Sequence, residues 1–429
     1  MKKVLVFMLA AMLAGVASAM KMPQDVYVAG QNGEKVMVYN CKTQETKTIR
    51  GYLRNIGVDN AHNVYVLVCD DSSGWGNYYI YKNFSSTPFQ SFKSPQPSYA
   101  SDRGYEGYTS MAMTVKGGDV VVAGVYSKQF NDKGFESRMF GYVNKVRVYQ
   151  TEFERKSLKR EHFEGYKKIN TSKKKWEKYE DENFCGNVFH NVKSLVFHVD
   201  AVDYSDGYIY TTGWGEREYT ELWGKTYYMV RRCPRVWRNG VEVVQQYENR
   251  TGAAWNIAAF KVGGKEYIFT SGHQRSKACS WTGDKPFAES SAADYPGYFD
   301  EAVVYTGFTA QGPVFHRVLL TMEGDCVTTN TSYTDSSNKS YGGGVTSSPK
   351  GNQQTHDVLA VKDGYYMLRT SISGKFLIVH AAKGFVKDSS TNKYKIKEYK
   401  DLFNLPESFK VEVTNIAGRL CPPMLAVNE

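Results

Sequence analysis

The hexapeptide Asp25-Val26-Tyr27-Val28-Ala29-Gly30 decides the fold, because copies of it recur along the whole chain. Its side chains alternate with a period of two residues, which is the pattern of a β-strand whose two faces pack differently. The copies recur at steps of 38 to 89 residues and stand at 63–68, 119–124, 208–213, 267–272, 325–330 and 365–370. This pattern predicts a chain of repeated β-units rather than helical repeats, which would show a period of about 3.6 residues.

The surroundings of the hexapeptide repeat as well. Most copies follow an apolar run and a polar turn such as Gly117-Gly118 or Asp206-Gly207, and such turns suit the tight connection of a hairpin. The apolar runs lie at 53–58, 111–115, 199–202, 257–262, 314–322 and 358–361. After several copies comes a further strand with an aromatic residue near its end, at 36–39, 78–81, 143–149 and 235–240. Each unit is therefore predicted to contain three strands or more.

Units of this kind have two apolar faces and can bury both by stacking around a common axis. We therefore predict an all-β chain that forms a single β-propeller of seven blades, with six or eight blades as alternatives. The first copy leaves too few residues before it to supply the innermost strand of its own blade. The run at 409–416 is predicted to fill that place, so that pairing of the N-terminal and C-terminal strands closes the ring.

The longest step separates the copies at 119–124 and 208–213. It contains a segment at about 150–184 that is rich in both lysine and glutamate. Mixed charge at this density is typical of a solvated face or a loop. We interpret the segment as a charged insertion and not as an eighth blade.

The phrase D-V-Y-V-A-G, with the later run Val236-Trp237-Arg238-Asn239-Gly240, resembles the repeat of exported bacterial β-propellers of unassigned function. The typical unit of that family reads DVYVAG followed by YWKNG. The best single match spans residues 208–240, and weaker copies extend the resemblance over most of the chain. The resemblance implies a propeller fold and export, and it implies no catalytic residues, because the motif is structural in that family.

Residues 1–19 have the three parts of a secretory signal. Lys2 and Lys3 precede an apolar run at 4–14, and Ala17-Ser18-Ala19 fits a cleavage site. Val16 stands where a lipoprotein would need its lipidated cysteine. We therefore predict an exported protein, periplasmic or extracellular and not a lipoprotein, with residues 20–429 as one propeller domain. No later run is long and apolar enough to predict a transmembrane segment.

Charge and cysteine usage argue against two classes of site. The formal net charge of +10 is spread thinly, whereas a nucleic-acid groove needs clustered cations. None of the seven cysteines forms a C-x-x-C pair, so a zinc site is not predicted. Between zero and three disulfides are expected, with buried thiols as the alternative. We predict no metal and no cofactor.

Candidate catalytic residues come from the strands that would converge at one end of a propeller channel. His and Asp together can exchange protons or bind a metal. Two such sets occur: His198, Asp200 and Asp203 in one unit, and His356 and Asp357 in another. Their spacing matches no catalytic template, and the motifs G-x-S-x-G and H-E-x-x-H are absent. Structural pairing of these side chains is the alternative interpretation.

Candidate ligand-binding residues are the rings at strand ends, because exposed rings stack on sugars or hold peptide side chains. Trp214 is the first choice, since Gly213 and Gly215 on either side are expected to leave its ring open. The other candidates are Trp75, Trp255, Trp281 and His273. The alternative is that these rings pack between blades.

Two functions follow from these observations. The first is a monomeric, non-enzymatic propeller that binds a protein or glycan partner through loops at one face. The second is a propeller-type glycan-processing enzyme, a hydrolase or lyase, with carboxylates and a histidine at the channel mouth. The fold by itself does not choose between them.

Overall fold

The fold is known from a computed structural model that describes most of the chain from Asp25 onward. The predicted signal, residues 1–19, lies outside the described residues. Those residues are 25–100, 104–130, 134–160, 166–170, 175–179, 187–190, 195–222, 226–245, 252–262, 264–274, 277–282, 285–289, 299–309, 312–321, 327–334, 340–341, 345–346, 356–362, 365–370, 376–380, 385–388, 393–396, 403–410 and 423–428. All regular elements among them are β-strands, which confirms the all-β prediction. Among these residues, none lies in a helix long and apolar enough to cross a membrane.

The first part of the chain forms three antiparallel sheets. Sheet 1 contains β1 (Val26–Asn32), β2 (Lys35–Asn40) and β3 (Thr46–Arg50); sheet 2 contains β4 (Tyr52–Val58), β5 (Val64–Cys69), β6 (Tyr78–Lys82) and β7 (Gln90–Phe92). Sheet 3 contains β8 (Gln96–Ala100), β9 (Gly104–Lys116), β10 (Asp119–Phe130), β11 (Gly134–Val143), β12 (Val146–Gln150), β13 (Glu154–Arg160) and β16 (Asn187–His190). Between the last two strands, β14 (Tyr166–Asn170) and β15 (Lys175–Tyr179) pair with each other.

The rest of the chain forms four further sheets. Sheet 4 contains β17 (Leu195–Ser205), β18 (Tyr208–Leu222), β19 (Thr226–Arg238) and β20 (Val241–Gln245); sheet 5 contains β21 (Gly252–Val262), β22 (Lys265–Gln274), β23 (Lys277–Thr282) and β24 (Lys285–Glu289). Sheet 6 contains β25 (Phe299–Thr309), β26 (Gly312–Thr321), β27 (Val327–Thr334), β28 (Ser340–Tyr341) and β29 (Val345–Thr346). Sheet 7 contains β30 (His356–Lys362), β31 (Tyr365–Thr370), β32 (Phe376–His380) and β35 (Phe403–Asn404), while β33 (Phe385–Asp388) pairs with β34 (Lys393–Ile396). The last strand, β36 (Met424–Val427), pairs with β1 and completes sheet 1.

Six hexapeptide copies form the strands β1, β5, β10, β18, β22 and β31. Five of them are the second strand of their sheets, counted from β36, β4, β17, β21 or β30 at the sheet edge, whereas β10 is the third strand of sheet 3 because β8 pairs with β9. The copy placed at 325–330 is wrong, because the second strand of sheet 6 is β26 and that run leads into the third strand, β27. The hairpin of β25 and β26 lacks a Gly-Gly or Asp-Gly pair, and the stronger turn signal Glu323-Gly324 belongs to the next connection. The apolar run at 314–322 therefore belongs mainly to β26, the second strand of sheet 6, and not to the first strand as the sequence predicts.

The third strand predicted at 143–149 is two strands. Asn144 and Lys145 have φ values of 48° and 71°, so the chain reverses there between β11 and β12. The strand that follows β10 in sheet 3 is β11, and β12 pairs with β11. The charged segment that follows contributes β13 to the same sheet, and within the described residues it forms no four-stranded sheet of its own.

The strand beside β1 is β36, and not the run predicted at 409–416. Leu425 pairs with Val28 across this ladder. Phe409 instead follows a turn in which its N–H donates to the carbonyl of Pro406, and its buried ring lies 5.9 Å from the ring of Tyr39. Residues 411–422 lie outside the described residues. Phe409 packs between sheets 1 and 7, so its hydrophobicity does not show that it lies in the strand that pairs with β1.

The hydrophobic core lies between neighbouring sheets. One buried cluster joins sheets 1 and 7 around Met367 and Val26, and others join sheets 1 and 2, 2 and 3, 3 and 4, and 4 and 5. Cys41 and Cys69 contribute buried free thiols to two of these clusters. Burial raises the pKa of both thiols, so they stay protonated and act as small apolar groups.

Seven strands, one from each sheet, contact one another in order. We call them the inner strands; they are β36, β4, β9, β17, β21, β25 and β30, and β30 in turn contacts β36. Hydrogen bonds tie neighbouring inner strands together: the side chain of Asn55 accepts from Met113 N at 3.0 Å, that of Ser110 from Val199 N at 2.9 Å and that of Asp203 from Ala259 N at 2.7 Å.

Four of the inner strands run in the same direction. Between β4 and β9, residues 55 and 60 lie beside residues 113 and 117. Between β9 and β17, residues 110 and 116 lie beside residues 199 and 203. Between β17 and β21, residues 203 and 206 lie beside residues 259 and 261. The starts of β4, β9, β17 and β21 therefore share one face of the molecule, which we call the leading face.

Candidate functional site

Two of the predicted His and Asp residues meet near the start of β17, on the leading face. The ladder between β17 and β18 skips Phe197 and Asp200, which marks two bulges. Bulges of this kind re-aim side chains and are common beside functional sites. His198 Nε2 lies 3.1 Å from Asp200 Oδ1, and the side chains are 33% and 19% exposed. The bulged strand therefore builds a His–Asp pair that solvent can reach.

Trp214 lies directly across the ladder from His198. The two rings are nearly parallel, at 8°, and their centroids are 5.8 Å apart. Gly213 allows this close approach, because a Cβ there would lie 2.2 Å from the carbonyl oxygen of His198. Trp214 is half-buried, so its ring is only partly open and stacks on His198.

The second carboxylate oxygen of Asp200, Oδ2, is buried and receives no hydrogen bond in the part of the chain that the structure describes. A buried carboxylate oxygen without a donor is unfavourable by about 1–3 kcal/mol or more. The atom is therefore suited to accept a hydrogen bond from an O–H or N–H group of a ligand.

A second aromatic pair lies on the leading face, on the loop between β5 and β6. Trp75 is 37% exposed, and its ring centroid lies 4.9 Å from that of Tyr105 on β9. Arg54 Nη2 donates to the carbonyls of Asp71 and Ser72 at 3.0 and 3.1 Å. Sheet 2 thus holds the loop that carries Trp75, and sheet 3 supplies the ring against which it packs.

Tyr105 is a fixed support for Trp75. Burial raises the pKa of the Tyr105 phenol well above its usual value, so the hydroxyl stays protonated. It donates a hydrogen bond to the carbonyl of Tyr108 at 2.6 Å. The ring is buried and held at its hydroxyl end, so it presents a rigid surface.

The start of β9 also carries the Glu106 carboxylate, whose negative charge is paired with Lys128. Lys128 Nζ lies 2.8 Å from Glu106 Oε1, and this hydrogen bond is the main reason why the pKa of Glu106 is lowered. Tyr126 donates a second hydrogen bond to the same oxygen at 2.7 Å. The Glu106 carboxylate is therefore engaged by neighbouring side chains.

The bulge at Asp200 in sheet 4 has counterparts at the same position in sheets 2 and 5. Arg54, Asp200 and Trp255 are each the extra residue opposite the fifth and sixth residues of the hexapeptide. These equivalent positions hold a cation, an anion and an indole. Trp255 is half-buried and lies at the start of β21, on the same face as Trp214.

Two predicted site residues lie elsewhere in the fold. Trp281 is fully buried and packs against Ala254, so its ring is not accessible to a ligand at the surface. Asp203 lies toward the other end of β17 and is buried between sheets, where it binds Lys116 Nζ at 3.1 Å and Ala259 N at 2.7 Å. Asp203 is therefore not part of the His198–Asp200 pair.

The other candidates are described by their backbone only. His273 lies near the end of β22 and pairs with Ala253 near the start of β21. His356 and Asp357 begin β30, where they pair with Thr370 and Arg369. Their side chains lie outside what the structure describes, so their catalytic and binding roles remain predictions.

Sequence reasoning missed Tyr105 and Arg54. Tyr105 is one of 32 tyrosines and carries no motif, while Arg54 stands in an ordinary apolar run. Arg54 is marked only by its bulge, which depends on pairing with β5 and leaves no pattern in the sequence. No group of three or more His, Cys, Asp and Glu residues with metal-site spacing occurs among the described residues.

No protein-family model matches the chain, and no curated protein matches it either. Two solved structures are distantly similar. A dihydro-heme d1 dehydrogenase, NirN, solved in complex with DHE, is 12% identical with a TM-score of 0.36, and the match covers 92% of this chain and 77% of that one. The N-terminal domain of Nup159 is 11% identical with a TM-score of 0.27, and the match covers 69% of this chain and 73% of that one. Likeness at this level carries no argument about activity.

Proposed function

We propose that this protein is an exported, monomeric, seven-bladed β-propeller that binds a glycan or protein partner at its leading face. The blade count rests on seven sheets whose inner strands contact one another in order. Closure of the ring rests on the pairing of β36 with β1. Export rests on the signal-like sequence at residues 1–19.

The observation that carries the binding function is the arrangement of Trp214, His198 and Asp200. The Trp214 ring is braced by His198, His198 is held by Asp200, and Asp200 keeps one oxygen without a donor. A rigid aromatic ring beside a hydrogen-bonding group without a partner is a common arrangement in binding sites.

The test is capture of the partner from the native exported fraction with immobilised residues 20–429. We expect a component that is retained by the wild type and lost with Trp214→Ala. Tyr208→Ala is the matched control, because Tyr208 is exposed on the same strand, β18, at the end away from the leading face. Equal retention by all three proteins, or retention by none, would contradict binding at this site.

The second candidate is a glycan-processing enzyme, and the 3.1 Å contact of His198 with Asp200 favours it, because such a pair can transfer a proton. In this case turnover of polysaccharide by the wild type would be abolished by His198→Gln, whereas the binding function predicts no turnover by either protein. Reducing-end and unsaturated-product assays separate these two outcomes.

A further inference from the structure

We infer that the ligand of the leading face is a neutral saccharide of several residues, which contacts Trp214 and Asp200 on sheet 4 and Trp75 above sheets 2 and 3. This inference rests on the proposed binding function and names the class of its ligand. Three properties of the face lead to it: the chemistry of the Asp200 oxygen, the nature of the exposed rings and the distance between them.

The Asp200 carboxylate favours a neutral donor. Its Oδ1 is already engaged by Nε2 of His198 at 3.1 Å. A ligand hydroxyl group can donate a hydrogen bond to Oδ2 without adding a charge beside this pair. Oδ2 is buried and lacks a donor among the described residues, so this hydrogen bond, reached by a small shift of the His198–Asp200 pair, would remove an existing cost.

The rings favour a ligand with flat apolar faces. Trp214 is braced on one side by His198, and Trp75 is braced by Tyr105, so neither ring has to be ordered when a ligand binds. Binding to preorganised rings loses little conformational entropy. Saccharides combine apolar C–H faces, which stack on rings, with hydroxyl groups, which donate and accept hydrogen bonds.

The separation of the rings favours a chain over a single sugar. Trp75 packs on sheet 3 from the loop of sheet 2, and Trp214 belongs to sheet 4. Neighbouring sheets lie about 10 Å apart, so the two rings are separated by at least one sheet spacing. Trp255 on sheet 5 continues the series on the same face. A ligand that reaches both rings must therefore contain more than one sugar unit.

The experiment uses residues 20–429 on an array of neutral glycans, followed by titration calorimetry with a ladder of the best ligand from monosaccharide to hexasaccharide. We expect Trp214→Ala and Asp200→Asn to weaken binding about tenfold at every length. We expect Trp75→Ala to weaken only the longer members, because only they reach the second ring. Tyr208→Ala is expected to bind like the wild type, and circular dichroism checks that each variant is folded.

The outcomes separate this inference from the proposed function. If no neutral glycan binds but a captured protein is lost with Trp214→Ala, the saccharide ligand is wrong and binding at the leading face stands. If glycans bind and Trp75→Ala behaves like Tyr208→Ala at every length, the extended ligand is wrong. If neither a glycan nor a partner depends on Trp214, the proposed function fails as well.

Discussion

Gly213 shows why the hexapeptide ends in glycine. A Cβ at this position would lie 2.2 Å from the carbonyl oxygen of His198, and at Gly124 it would lie 2.3 Å from that of Ser110. Both glycines face an inner strand that bulges nearby. The sequence reveals the repeated glycine, but the reason for it depends on a bulge in another strand. The predicted role of Gly213, to leave the Trp214 ring open, was therefore incomplete.

Replacing Gly213 by alanine is expected to destabilise the fold by about 3 kcal/mol, because the contact is with backbone and only a backbone shift relieves it. Gly118→Ala is the matched control: a Cβ there meets nothing within 4 Å, so its effect is expected to stay within about 0.5 kcal/mol. Urea unfolding of both variants measures the difference. Equal midpoints would show that the inner strand moves freely at Gly213.

The turn residues were the most predictable part of the chain. Gly117, Gly207 and Gly264 have φ values of 63°, 80° and 80°, as the polar turns between strands require. Turn chemistry is local, so it can be read from neighbouring residues. The site depends on contacts between strands: the sequence proposed His198, Asp200 and Trp214 as candidates, but their stacking depends on the register of β17 and β18.

At the scale of elements, the errors share one cause. The segment at 325–330 follows the turn signal Glu323-Gly324, and the run at 409–416 is apolar and alternating, but neither a turn signal nor apolar alternation reports the position of a strand within a sheet. Phe409 is buried without being in a strand. The register that assigns each strand to its sheet is set by long-range pairing, which a single sequence does not contain.

Asp203 is expected to contribute to stability by joining neighbouring sheets. It is buried, and it binds Lys116 Nζ from sheet 3 and Ala259 N from sheet 5. Asp203→Asn removes the buried carboxylate that pairs with Lys116 Nζ, so we expect a loss of about 3 kcal/mol. Asp206→Asn is the control, because its ion pair with Lys261 joins two half-exposed side chains and is expected to contribute little to stability. Thermal unfolding distinguishes the variants, and similar melting temperatures would exclude Asp203 as the main tie.

At the scale of the whole molecule, the two ends of the described chain are held together by more than the pairing of β36 with β1. Asn428 N donates to the carbonyl of Asp25 at 3.1 Å, and its side chain lies 2.8 Å from His62 Nδ1. The Asp25 carboxylate is almost completely buried and binds both His62 and Lys42. This polar cluster lies where sheets 1 and 2 meet the last strand, so it fixes the position of β36.

Leu425→Asp is expected to open this junction. Leu425 is buried in the cluster between sheets 1 and 7, and a carboxylate there would lose its hydration without gaining a partner, at a cost of about 4 kcal/mol. Release of β36 would expose the edge of β1, and an open edge invites pairing with another chain. We therefore expect faster amide exchange at Tyr27 and Ala29, whose N–H groups face β36, together with larger species in gel filtration. Asn428→Ala is the matched control, because it keeps the backbone hydrogen bond to Asp25 and is expected to elute like the wild type. If Leu425→Asp also eluted like the wild type with protected β1 amides, burial of Leu425 would not be what holds β36 against β1.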